Sequence, residues 1–165
     1  MRISTDDGRF GLILTPAGDP WDARFFRFQL IVDSIVMGDS EPCILGSMML
    51  TLQNMARLED PRLAQPDADP AATLSVLRSD AALNDPSLLG AAESLDGWLV
   101  HGYVHGTNAI VLGELAEPPL GTPTPRVAVT SLHDFQAIVT TAAHYGEEVQ
   151  RDARLTTRKG CLSTR

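Results

Sequence analysis

The sequence predicts an α+β domain, in which an antiparallel sheet of about five to six strands carries helices packed on one face. Three observations predict it. Phe26, Phe28, Leu30 and Val32 recur at every second position, with Arg27 and Gln29 between them, which is the period of a half-buried strand. Two further apolar runs, 98–104 and 109–115, are separated by His105-Gly106-Thr107-Asn108, a join that suits a hairpin better than a crossover. The segments that follow Ser40 and Ser131 instead place apolar residues at three- and four-residue steps, the spacing of an amphipathic helix.

Taken in order, residues 9–15 read as a short strand between Asp7-Gly8 and the breakers Pro16, Gly18 and Pro20. Phe25–Val32 is the clearest strand, and Asp33-Ser34 is a tight turn into Ile35-Val36-Met37, with Gly38-Asp39 ending that arm. Ser40 is the expected N-cap of a helix with Glu41 and Pro42 in its first turn and Leu45, Met48, Leu52 and Met55 on its core stripe. Pro61, Pro66 and Pro70 make 58–72 an exposed loop, since neither helix nor interior strand holds prolines so spaced. Short helical stretches are expected at 71–78, 80–84 and 87–95. After the hairpin come a loop over 116–125 and a strand at 126–130. Ser131 then opens a last helix, with Asp134 as its capping-box partner and Phe135, Ile138, Val139, Ala142 and Val149 facing inward.

With 165 residues and no internal repeat, the chain reads as one α+β domain over 1–151, followed by a flexible basic tail at 152–165. Charges interrupt the N-terminus before any signal-peptide core forms, and the longest apolar run, 44–52, is too short to span a bilayer. Two distant cysteines, Cys43 on an apolar segment and Cys161 in the tail, fit a cytoplasmic protein with free thiols.

Charge is the most uneven property. Residues 39–117 hold twelve acids against Arg57, Arg62 and Arg78, a local balance of −9, while the flanking parts carry −1 and +2 for a total of −8. Such a segment attracts basic partners and repels nucleic acid. No strong catalytic motif offsets it. The sequence lacks a nucleophile elbow, a phosphate-binding loop and a dinucleotide fingerprint. His101 and His105 share a strand face about two repeats apart, a stretched spacing for a shared metal, and no Cys or further His lies close to them in sequence. Gly38-Asp39-Ser40 at a helix start is ringed by acids that repel an anion. Asp67/Asp69 and Glu147/Glu148 read as solvated pairs, because catalytic carboxylates need burial or a tuning neighbour. Arg151, Arg154, Arg158 and Lys159 form a weak basic patch without aromatic company. No catalytic residue, metal or cofactor is therefore expected.

A resemblance adds to this. The run Phe25–Gly46 resembles the opening of several small bacterial immunity proteins, in which a strand hairpin ends in Gly-Asp and runs into a helix. Residues 127–139 (Val-Ala-Val-Thr-Ser-Leu-His-Asp-Phe-Gln-Ala-Ile-Val) are similar to the strand and helix with which such proteins close. These are the immunity partners of polymorphic toxins delivered by contact-dependent inhibition, Rhs or type VI systems. The resemblance implies a non-enzymatic cytosolic protein, monomeric when free, that occludes the active site of a cognate toxin domain. Many such toxins are nucleases with basic clefts, which an acidic surface fills as a mimic of the nucleic-acid backbone. The expected partner-binding residues are Glu59, Asp60, Asp67, Asp69, Asp80, Asp85 and Glu93, with Trp21 and Tyr103 as aromatic anchors. Trp98 serves at least as well in a core. The competing readings are a secretion chaperone or adaptor for an exported effector, and a small hydrolase using His101 or His105 with a nearby carboxylate.

Overall fold

The computed structural model describes residues 1–17, 24–39, 41–58, 72, 73, 89, 92–116 and 125–162, with side chains as far as Asp152. The strands are β1 (Arg2–Ser4), β2 (Phe10–Pro16), β3 (Phe25–Val32), β4 (Ile35–Met37), β5 (Cys43–Ile44), β6 (Trp98–His105), β7 (Asn108–Leu115) and β8 (Arg126–Ser131). Helix α1 spans Leu45–Ala56, helix α2 spans Leu132–Leu162, and a 3-10 turn covers Glu93–Leu95.

The fold is α+β with antiparallel pairing throughout the described strands. The described strands form two sheets, the first of them the expected antiparallel sheet with five strands, the second a separate one with three. One has the order β1-β2-β3-β4, with β5 also on β3, and the other has the order β6-β7-β8. β4 has only three residues and ends at Gly38, whose φ of +103° turns the chain away before a neighbour can pair alongside. The second sheet meets the first through side chains. Gly113 of β7 lies so close to Met37 of β4 that a Cβ there would sit 2.6 Å from the Met37 Cε.

The alternation seen in β3 decides which face is buried. Phe26, Phe28, Leu30 and Val32 are fully buried, and their β2 partners Pro16, Leu14, Leu12 and Phe10 lie on the same face. α2 packs on that face, where the rings of Phe10 and Phe135 stand 4.9 Å apart. α1 buries Leu45, Met48, Leu52 and Met55 in the same core, and Val100, Ala109, Val111 and Ala128 bring the second sheet into it. Each of the Val, Leu, Met and Phe side chains among them contributes about 1.5–3 kcal/mol by leaving water.

Several local signals act as their residues demand. Asp33 and Ser34 both have positive φ (50° and 65°), the conformation a two-residue hairpin turn requires. The β6–β7 turn is tighter than the four-residue join expected. His105 pairs with Asn108, and Gly106, at φ 60°, supplies the bend with Thr107. Ser131 and Asp134 form the capping box, with the Asp134 N–H donating to Ser131 Oγ at 3.0 Å and that hydroxyl donating to the Asp134 carboxylate at 2.6 Å. The first helix starts later than Ser40 suggested. Cys43-Ile44 pairs with Phe25-Phe26 as β5, so Ile44 is the N-cap residue and helical geometry begins at Leu45. α2 continues past the expected domain end at 151, to Leu162. No described helix is long and apolar enough to cross a membrane.

The 3-10 turn fastens these parts together. Ser94 is fully buried, and its hydroxyl donates to the Phe28 carbonyl at 2.6 Å. The Ser94 carbonyl accepts the Asp39 N–H at 2.9 Å, and Leu95 enters the core beside it. Replacing Ser94 with alanine leaves the Phe28 carbonyl without this donor in a buried setting, which costs about 1–3 kcal/mol. Urea unfolding of Ser94→Ala is expected to show that loss; an unchanged midpoint would show that the turn holds by packing alone.

Candidate functional site

Of the partner-binding residues expected from sequence, Trp21, Glu59, Asp60, Asp67, Asp69, Asp80 and Asp85 lie outside the described residues. Glu93 and Tyr103 lie within them and are not neighbours in the fold. The expected helical stretches at 71–78, 80–84 and 87–95 also fall mostly outside, and within the last the 3-10 turn covers Glu93–Leu95.

Glu93 stands at the start of α1, although 46 residues separate it in sequence from Ser47, whose hydroxyl donates to it at 2.8 Å. The Ile44 N–H donates to the other carboxylate oxygen at 3.3 Å. It thus caps a helix that has no cap of its own. Partial burial pushes its pKa up, but hydrogen bonds from its own N–H, Ser47 and Ile44 outweigh that and hold the carboxyl below its ordinary value of 4.5. The side chain is exposed, so the same charge that caps the helix also faces solvent.

Tyr103 is only 3 % exposed. It shares the outer face of the second sheet with Leu112, Ile110 and Val127, a small cluster on the opposite side from the main core. Burial pushes its phenol pKa up, partly offset by a hydrogen bond with Thr73, so the ring is neutral. His101 and Glu114 are buried on that same face, while His105 is exposed at the hairpin end. Trp98 is half-buried against the main core. Cys43 is fully buried, and desolvation raises its thiol pKa, which suppresses the reactive thiolate. Among the described residues no group of three or more His, Cys, Asp or Glu is placed to hold a metal ion. Glu148 bridges His144 at 3.2 Å and Arg151 at 3.6 Å on the exposed face of α2, a solvated arrangement.

A cleft that the sequence did not suggest opens between β1, β8 and the first turns of α2. It measures about 530 Å3. Ser4 lines one wall, Val129 the other, and Ile138 lies on the helix beneath. Asp6, Asp7 and Asp134 are its charged lining, and among the described residues none that lines it is basic. Asp7 accepts from the Thr5 hydroxyl at 2.6 Å and the Arg9 N–H at 3.0 Å, and these bonds hold its pKa below the ordinary value. Beside the cleft, the Arg9 guanidinium donates to Asp33 at 3.0 Å and to the Val127 carbonyl at 3.1 Å, while Arg126 approaches Asp33 at 3.9 Å. Those contacts tie the β3–β4 turn to β8 and keep both arginines outside the acidic cleft. No local pattern in the sequence marks this site, because its walls are brought together only by the two sheets.

No known family model matches the chain, and no curated protein matches it by sequence. A solved structure does. The chain is similar to the crystal structure of CdiI from Burkholderia dolosa AUO158, with a TM-score of 0.56 over 86 % of this chain and 98 % of that one. Sequence identity is 20 %, so what the two share is the fold. The shared region is nearly the whole of the other chain.

Replacing Glu93 with alanine removes the cap and is expected to cost about 1 kcal/mol near neutral pH. Because the folded carboxyl titrates below its ordinary value, its stabilisation is present above 4.5 and disappears as pH falls through the folded value. Urea midpoints of wild type and Glu93→Ala should therefore differ at pH 7 and converge in acid; a gap that persists in acid would assign the effect to packing.

Proposed function

We propose that this protein is an immunity protein of the contact-dependent inhibition type, which binds and neutralises a cognate toxin domain. The single observation that carries the reading is the fold shared with CdiI of Burkholderia dolosa over most of both chains. The strand hairpin ending in Gly38-Asp39 and the closing strand and helix opened by Ser131, which resemble those of small bacterial immunity proteins, support the same reading. The uneven charge gives the partner its character. A segment of −9 speeds encounter with a basic protein, while apolar and aromatic contacts set how long the complex lasts. A nuclease-type toxin with a phosphate-binding cleft fits that field, and occlusion of its active site is the simplest way for an acidic surface to block it. Glu59, Asp60, Asp67, Asp69, Asp80, Asp85 and Glu93 are the proposed steering residues. Trp21 is the proposed anchor, and Tyr103 supports the outer face of the second sheet from within. The protein acts as a monomer in the cytoplasm and carries out no chemistry of its own.

The direct test is co-expression with the product of the adjacent upstream gene. Protection of the cell and a purified one-to-one complex are expected; neither protection nor complex would overturn the reading. Neutralising Asp67, Asp69, Asp80 and Asp85 together should slow association at low salt and leave thermal stability nearly unchanged. Stopped-flow mixing across a salt series measures this, and an unaltered rate would move the steering surface elsewhere.

A further inference from the structure

The cleft between β1 and β8 has a property that its acidic lining alone would not give it. Among the described residues, both of its walls are open sheet edges. In β1, Ile3 faces Leu12, and the flanking bonds run from the Thr5 N–H to the Phe10 carbonyl at 2.9 Å and from the Leu14 N–H to the Met1 carbonyl at 2.8 Å. Hydrogen-bonded pairs alternate along an antiparallel ladder, so Met1, Ile3 and Thr5 bond inward and Arg2 and Ser4 turn their N–H and C=O outward. In the second sheet, His105 and Asn108 close the two-residue turn and form a bonded pair. Counting along β7, Ala109, Val111 and Gly113 then bond to β8 at Thr130, Ala128 and Arg126. The groups of Val127 and Val129 point the other way. The Val127 carbonyl agrees with this, since Arg9 reaches it from outside the sheet.

Proteins blunt such edges with charge, proline, a bulge or a cover. Here Arg9 covers Val127, but one register on, Val129 is 43 % exposed and, beyond its β7 neighbour, no described strand lies on the outer side of β8. The second open edge, at Ser4, lines the same cleft. An extended chain has the backbone donors and acceptors that both edges lack. The charge of the site selects among such chains, because Asp6, Asp7 and Asp134 favour basic side chains and no lining residue offsets them.

We infer that this cleft is a strand-addition site: an extended, basic segment of the toxin domain enters it, pairs its backbone with β8 at Val129 and lies along β1 at Ser4. This rests on the toxin-binding reading above and adds to it the mode of contact and the chemistry of the segment. Backbone pairing supplies affinity that tolerates sequence change, and the three aspartates supply the preference for lysine or arginine at positions facing them.

Two arms test it on the full chain. In the first, the 15N-labelled protein is titrated with the peptide acetyl-Lys-Val-Thr-Val-Lys-Val-amide and with the same peptide N-methylated at alternate residues. Slower amide exchange at Val129 and Ser4 is expected with the first peptide and none with the second. Absence of protection at Val129, or equal protection by both peptides, overturns the inference. Protection that instead appears without peptide as protein concentration rises assigns the edge to a second copy and also overturns it. In the second arm, Val129→Pro, which removes the outward N–H while edge strands tolerate proline, is compared with wild type for binding of the toxin domain, its fold being checked by circular dichroism. A loss of roughly tenfold in affinity or more is expected, the value of about one lost hydrogen bond. Unchanged affinity overturns the inference and leaves the toxin-binding reading intact. Should wild type itself fail to bind the toxin domain, that reading falls, and the peptide arm alone decides the cleft.

Discussion

The buried hydrogen bond from Ser94 to the Phe28 carbonyl is the constraint on which much of the arrangement depends. It returns the chain, after the long segment that follows α1, to the middle of β3. Its neighbours on the same turn then act in three directions. The Ser94 carbonyl holds Asp39 at the end of the β4 arm, Glu93 caps α1, and Leu95 fills the core below. A three-residue turn therefore sets the position of the first sheet, the start of the first helix and the point from which β6 departs. Because the carbonyl is shielded from water, the bond is costly to lose, and the geometry around it is correspondingly well determined.

From that fastening follows the separation into two sheets. β4 stops at Gly38, so the second sheet joins by packing side chains across Met37 and Gly113 and not by extending the first. A single continuous sheet would have left edges only at its two ends. Two sheets set side by side leave the edges of β1 and β8 lining one cleft, with α2 beneath them. The Arg9–Asp33–Arg126 contacts hold the sheets at one rim and consume the nearby positive charge, so the cleft itself has an acidic lining. The placement of outward-facing backbone groups beside Asp6, Asp7 and Asp134 on this frame is what the strand-addition proposal rests on.

The parts of the fold legible in the sequence are those governed by near neighbours. Phe25–Val32 could be read because one face is buried against α2 and its alternate residues had to be apolar. Asp33-Ser34 and the Ser131–Asp134 capping box were legible because each forms within four residues. The short strands were not. β1 has three residues and no period of its own, and β5 is two residues that look like the first turn of a helix until Phe25-Phe26 pairs with them. The acidic candidates Glu59, Asp60, Asp67, Asp69, Asp80 and Asp85, and Trp21, came from composition and residue type, which identify a kind of partner and no geometry.

The sequence by itself determined the class of the fold, the inward faces of β3, α1 and α2, and the sign of the field this molecule presents, since periodicity and net charge are sums over the chain that need no coordinates. Only the tertiary structure decided that Glu93 caps a helix far from it in sequence, that Tyr103 is buried on the outer face of the second sheet, and that two strand edges share one acidic cleft. Those features depend on which distant segments meet, and that is fixed by the packing of the whole core and not by any local run of residues.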